Sequence, residues 1–248
     1  MVVPVAMSYN RPMIDVLDRV RRELESRADD RTKVGYDRFF KEAVSFYGVK
    51  NGEVKKIAAA AFREIRQLPK AAIFSLCEDL LRTDISEETF VALEWAQRLE
   101  KSYEYDDFAV FERWLNTWVT NWAACDTLCN HPVGSMVVKY PAYVDRLKVW
   151  TASPNRWVRR GAAVSLVIPT RRGLFLEDVF DIATRLMEDT DDLVRKGCGW
   201  MLKEAARIHC DEVHAFIVGN KARMPRTTLR YAVENMPPGL KKSAMSRD

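Results

Sequence analysis

Breakers are scarce in this chain. Only ten glycines and ten prolines occur in 248 residues, which excludes collagen-like and linker-dominated architectures and leaves room for helices. No stretch reaches eighteen uncharged apolar residues, so no membrane span is expected. The opening MVVPVAMSYNRPMIDVLDRV has no basic n-region before its apolar run, so neither a signal peptide nor a cleavage site is expected. The five cysteines (77, 125, 129, 198 and 210) are odd in number and lie in apolar runs, which fits reduced, buried thiols of a cytoplasmic protein. Cys125, Cys129 and His131 are close together, but no second ligand pair follows, and no metal or cofactor is expected. His131, His209 and His214 share no spacing suited to a catalytic triad. No RRM, KH, zinc-finger or OB signature is present, which argues against base readout by those modules.

What the chain has is helical periodicity almost from end to end. PMIDVLDRVRRELESRA, GYDRFFKEAVSFYG, NGEVKKIAAAAFREIRQL, PKAAIFSLCEDLLRT and SEETFVALEWAQRLEKS each read as a helix, the last opening at Ser86 with Glu87 and Glu88 in its first turn. Breakers then fall at Gly48, Pro69, Ser86, Pro132, Pro141, Pro154, Pro169, Gly173, Thr190 and Pro225. No alternating strand segment competes. The helices also repeat: VRRGAAVSL from Val158 returns as VRKGCGWML from Val194, 36 residues later, and VKKIAAAAF from Val54 is a looser copy. Small residues after a basic pair would let neighbouring helices approach while the basic pair stays exposed. The fold class expected is all-α, a curved solenoid of about six HEAT-like helical pairs with a concave basic groove. It would form one domain over 1–248, with its core at 10–237 and a short tail at 238–248. A generic helical bundle is the competing architecture.

The net charge of +4 says little, but its distribution says more. Arg146, Lys148, Arg156, Arg159, Arg160, Arg171 and Arg172 fall between residues 146 and 173 with no acid among them. Lys221, Arg223, Arg226 and Arg230 form a second acid-free group. Basic pairs recurring at the repeat period should share one surface, the footprint of a polyanion. A solvated basic face or an anionic protein partner would leave the same pattern.

In TWVTNWAACDTLCNH, one carboxylate stands in apolar company. Read as a single helix, Trp114, Trp118, Trp122 and Asp126 recur every four residues and share one side. A core stripe ended by a capping residue is the plain reading, with Trp114 and Trp118 in the core. Trp95, Trp150 and Trp157 read as packing residues too. The other reading is an aromatic-walled site for a cation. Arg160 and Trp200 sit in the two strongest repeat copies and could face the same groove as Trp122 and Asp126.

With these pieces together, the chain resembles the AlkD family of bacterial DNA alkylation-repair glycosylases, built of HEAT-like repeats. The resemblance rests on FYGVKNGEVKKIA, ETFVALEWAQRL, the Trp-x-x-x-Asp of NWAACD, NRWVRRGAAV and VRKGCGWMLKEAAR, over roughly residues 36 to 236. It implies that Trp122, Asp126, Arg160 and Trp200 line a catalytic cleft, with Asp126 catalytic and the other three binding substrate; the planar fork of Arg160 is suited to clamp a phosphate beside the lesion. A register slip of one residue would place Arg159 where Arg160 stands. YDRFFKEAVSFYG departs from the family's Tyr-centred pattern, so no DNA contact is carried over to Tyr36, Phe39 or Phe40. Phosphates are expected to meet Arg156, Arg159, Arg195 and Lys196, and the resemblance implies a grip on the backbone that leaves the lesion within the duplex.

The chemistry suits a lone aspartate. Alkylation at N3 or N7 makes a purine cationic and a ready leaving group, so no general acid is required. One ionised carboxylate can stabilise the oxocarbenium-like sugar and orient water. Indole faces attract a cationic base by about 0.5 to 2 kcal/mol each. The expected activity is a monofunctional DNA N-glycosylase removing 3-methyladenine and 7-methylguanine in base excision repair. The alternative is a non-catalytic binder of damaged or branched DNA on the same fold. Double-stranded DNA with alkylated bases is the expected partner; a monomer is expected, with no membrane and no obligate protein partner.

Overall fold

The computed structural model of the protein describes residues 11–40 and 42–246. Among them the chain forms sixteen α-helices and no strand, with one isolated bridge between Ser45 and Ile85. Among the described residues no helix is long and apolar enough to cross a membrane. The helices fall into two compact units, residues 1–102 and 103–248.

The first unit holds α1 (Arg11–Ser26), α2 (Asp30–Phe39), α3 (Asn51–Ile65), α4 (Lys70–Leu81) and α5 (Ser86–Arg98). Val16, Leu17, Val20 and Leu24 form the apolar stripe of α1, and α5 packs on both α3 and α4. Trp95 is fully buried, and its indole N–H donates to the Ala58 carbonyl at 2.9 Å. The helix expected over 35–48 is not there. Its first five residues close α2, which Asp29 starts by accepting the Thr32 N–H, and the segment from 42 leaves the helical path. The cause is tertiary. The buried Glu87 carboxylate accepts the backbone N–H groups of Tyr47 (3.1 Å), Gly48 (2.9 Å) and Val49 (2.9 Å). Glu88 accepts the Tyr47 hydroxyl at 2.6 Å and Arg21 Nε at 3.2 Å. These two acids, expected in the first turn of the helix and found there, also hold a loop outside it. The cap position before α5 is Ile85, not Ser86.

The second unit runs through α6 (Asp107–Thr117), α7 (Trp122–Leu128), α8 (Gly134–Lys139), α9 (Tyr143–Trp150), α10 (Arg156–Val164), α11 (Val167–Thr170), α12 (Leu176–Leu186), α13 (Asp192–Ala205), α14 (Cys210–Asn220), α15 (Arg226–Ala232) and α16 (Pro238–Met245). The pairs α9–α10 and α12–α13 are successive copies of one unit: α9 packs on α12 and α10 on α13. The inner row continues in both directions, α10 meeting α7 and α13 meeting α15. Small residues set this approach. A Cβ at Gly199 would stand 2.6 Å from Tyr231 Cβ and 2.7 Å from the Thr228 carbonyl oxygen. The segment expected as a tail contains α16, where Ala244 is buried. At Pro132, expected to end a helix, a π turn over Cys129–Val133 joins α7 to α8; proline's missing N–H favours the wider turn.

Candidate active site

Three helices of the second unit carry the candidate residues, and each begins at a short polar cap. Asn121 accepts the Ala124 N–H, Asn155 that of Trp157, and Asp191 those of Leu193 and Val194. Asp126 and Arg160 each stand five residues after their cap, so stacking α7 beside α10 places them opposite each other. The Asn121 cap also corrects the aromatic ladder. The chain leaves the helix after Thr117 and restarts at Trp122, so Trp114 and Trp118 do not share a helix face with Asp126. Trp114 is wholly buried in the core. Trp122 keeps its place one turn before Asp126 and is half-buried.

Arg160 grips Asp126 with a two-pronged fork, Nε to Oδ1 at 2.7 Å and Nη2 to Oδ2 at 2.8 Å. Its remaining prong, Nη1, donates to the Leu193 carbonyl on α13. The Arg160 and Asp126 side chains are 7% and 14% exposed. A Cβ at Gly197 would lie 3.3 Å from Arg160 Cγ, so a glycine on α13 makes room for the buried guanidinium. Burial pushes the Asp126 carboxyl above its ordinary value, and the Arg160 guanidinium limits that rise by hydrogen bonding and charge. Burial also works against the Arg160 cation, but the Asp126 carboxylate outweighs it and raises Arg160. The result is a carboxylate paired with a guanidinium in a mostly dry setting. The adjacent Cys125 thiol points away, donating to the Trp157 carbonyl at 3.4 Å, and burial pushes its pKa well up, which makes it a poor nucleophile.

The exposed basic pairs of the repeat are corrected as well. Arg160 is interior, and the half-buried Arg159 donates Nε to Asp189 Oδ2 at 2.6 Å and Nη1 to the Ser153 carbonyl at 2.9 Å. Arg156 pairs with Asp191 at 2.8 Å and lies over the Trp157 ring. Arg195 donates to the Asp189 carbonyl, and Lys196 pairs with Asp192 at 2.8 Å. Of the seven cations in the acid-free run, six have an acid partner from elsewhere in the second unit: Glu112, Asp178, Asp191, Asp189, Asp126 and Glu204. The run is therefore acid-free in sequence but largely neutralised in space.

Trp200 lies on α13, half-buried, and its indole Nε1–H donates to Glu204 Oε1 at 3.2 Å. Glu204 and Asp189 are the site-forming acids that sequence reading passed over. The available signal was Glu204 at the i+4 position from Trp200; Asp189 reads locally as a turn residue, accepting the Asp191 N–H at 2.8 Å, and its arginine partner Arg159 is distant in sequence. Tyr36 is tied to the Val49 carbonyl at 3.0 Å within the first unit, and Phe39 is exposed. Cys77, Cys125, Cys129 and Cys198 are buried and Cys210 is half-exposed. Among the described residues no three His, Cys, Asp or Glu side chains gather into a set that could hold a metal.

No curated protein matches the sequence. Among solved structures, one from Enterococcus faecalis, described as a predicted DNA alkylation repair enzyme, superposes with a TM-score of 0.77 at 14% identity, covering 86% of this chain and 98% of its own. AlkD2 from Streptococcus mutans superposes with a TM-score of 0.61 at 17% identity, covering 90% of this chain and 98% of its own. Those identities speak for the fold. The family model for DNA alkylation repair enzymes matches residues 20–236, nearly the whole run of helices just described, and the chain belongs to that family.

Proposed function

We propose that the protein is a monofunctional DNA N-glycosylase acting on positively charged alkylated purines, with 3-methyladenine and 7-methylguanine as substrates. The observation that carries this reading is the Arg160–Asp126 fork: one ionised carboxylate, nearly dry and rigidly aimed, an indole one turn before it. As the C1′–N bond breaks, its electron pair goes to the base and cancels the base's positive charge. Cationic character then builds on the sugar, where Asp126 stabilises it and orients the water that attacks C1′. The water's proton leaves to Asp126 or solvent, giving free base and an abasic sugar. No proton is needed on the leaving group, which is why one carboxylate suffices.

In this reading Arg160 positions Asp126; its guanidinium is already committed to the carboxylate and to the Leu193 carbonyl, which supports a positioning role over phosphate binding. Trp122 and Trp200 supply faces for the cationic base, worth about 0.5 to 2 kcal/mol each. Arg156, Arg159, Arg195 and Lys196 meet the backbone, and the acid partners of Arg156, Arg159 and Lys196 make those contacts an exchange of one anion for another. The test is release of free base from methylated duplex DNA. Wild type should release methylpurines, and Asp126→Asn should bind the same DNA without releasing them. Salt-sensitive binding by wild type with no release would favour the non-catalytic binder.

A further inference from the structure

Glu204 is among the most buried carboxylates of the second unit, its side chain 3% exposed. It serves three donors at once. Arg171 Nε reaches Oε2 at 2.7 Å, Arg207 Nε reaches the same oxygen at 2.5 Å, and Trp200 Nε1 reaches Oε1 at 3.2 Å. The two arginines are 45% and 52% exposed, so they could be met by water, and a surface carboxylate would pair with them equally well. Instead the carboxylate sits one turn beyond Trp200 on α13, with its second oxygen turned to the indole.

That placement matters for a half-buried tryptophan. Packing on one side leaves the ring free to swing about its two side-chain torsions, and a hydrogen bond from Nε1 selects one orientation. A carboxylate acceptor also polarises the indole, drawing the N–H proton toward itself and leaving more electron density on the ring. Both effects strengthen attraction for a cation placed on that face. We propose that Glu204 is a positioning and specificity-determining residue: it fixes and electronically enriches Trp200 so that the ring favours cationic over neutral bases. This rests on the reading of Trp200 as a wall of the glycosylase site. Burial pushes the Glu204 carboxyl up, and Arg171 and Arg207 together outweigh burial and hold it below its ordinary value. The acceptor is thus a carboxylate throughout the neutral range.

The experiment is a double-mutant cycle on single-turnover release from a duplex carrying one N7-methylguanine, with DNA affinity and thermal midpoint measured alongside. Glu204→Gln keeps an oxygen for the indole but removes the charge, and is expected to slow release by about 2- to 30-fold with affinity within about twofold. In Trp200→Phe, which has no N–H to bond, adding Glu204→Gln should cost nothing further. An equal loss in both backgrounds, or none in either, would overturn the proposal. Should Glu204→Gln not fold, Arg171→Gln and Arg207→Gln loosen the carboxylate from the exposed side. They too should slow release only where Trp200 is present. If wild type releases no base, the glycosylase reading has failed, and the Trp200 indole 15N–1H resonance judges Glu204 on its own. A resonance unmoved by Glu204→Gln would sink the positioning role; an upfield shift with faster N–H exchange would sustain it.

Discussion

Replacing Arg160 with glutamine takes its guanidinium away from a carboxylate that is 14% exposed. Glutamine is too short to reach both Asp126 oxygens, so an anion is left nearly dry and without its fork. Breaking one partner of a buried pair costs about 3 to 5 kcal/mol. For a chain of this size each kcal/mol moves the thermal midpoint by about 2 to 4 °C, so a fall of about 6 to 20 °C is expected at neutral pH. The sign of the pH dependence follows. Without Arg160 the Asp126 carboxyl rises further above its ordinary value of 3.8, so the folded state holds a proton that the unfolded state has released. The variant's missing stability should return as pH falls through that raised value and be lost as pH rises through it. Activity carries the same mark. In the proposed reaction base release needs ionised Asp126, and losing a cation at hydrogen-bond distance should move the acid limb of the rate profile up by about 1 to 3 pH units. Thermal melts at several pH values, with single-turnover release across the same range, measure both. A variant that melts within about 3 °C of wild type and keeps its acid limb would refute the claim that the fork holds Asp126 in its working state.

Two further substitutions test the helical framework, one in each unit. Gly199→Ala gains about 1 kcal/mol of helix propensity, yet its methyl would press on the Thr228 carbonyl and Tyr231 Cβ, both backbone-fixed. A net loss of about 1 to 3 kcal/mol is expected in denaturant titration, and a stabilised variant would show that α15 moves freely away from α13. Glu87→Ala orphans three backbone N–H groups at Tyr47, Gly48 and Val49. A loss of at least about 3 kcal/mol is expected in denaturant titration, together with faster amide exchange at those three positions; retained protection there would refute the assignment of Glu87 as their acceptor.

The sequence by itself determined the helical class, the 36-residue repeat and the candidates Asp126, Arg160 and Trp200, because each is a matter of spacing along one chain. Period-3.6 patterning and the scarcity of glycine and proline leave few alternatives to helices. The small residues of VRRGAAV and VRKGCGW also announce close helix packing, and Gly197 and Gly199 bear it out. Helix ends were less legible. Asn121 ends the run of tryptophans because a cap competes locally with continued helix, and Glu87 pulls residues 45–49 out of one because a buried acceptor outweighs local preference. What only the tertiary structure decided is who answers each charge. The run from 146 to 173 has no acid of its own, yet α7, α13 and their neighbours bring Asp126, Asp189, Asp191 and Glu204 against it. A charge's partner is set by distance in space and by burial, and neither is encoded in the identity of the residues beside it in the chain. For that reason Arg160, which reads in sequence as a substrate-binding cation of a basic pair, is in the folded protein the residue that holds Asp126.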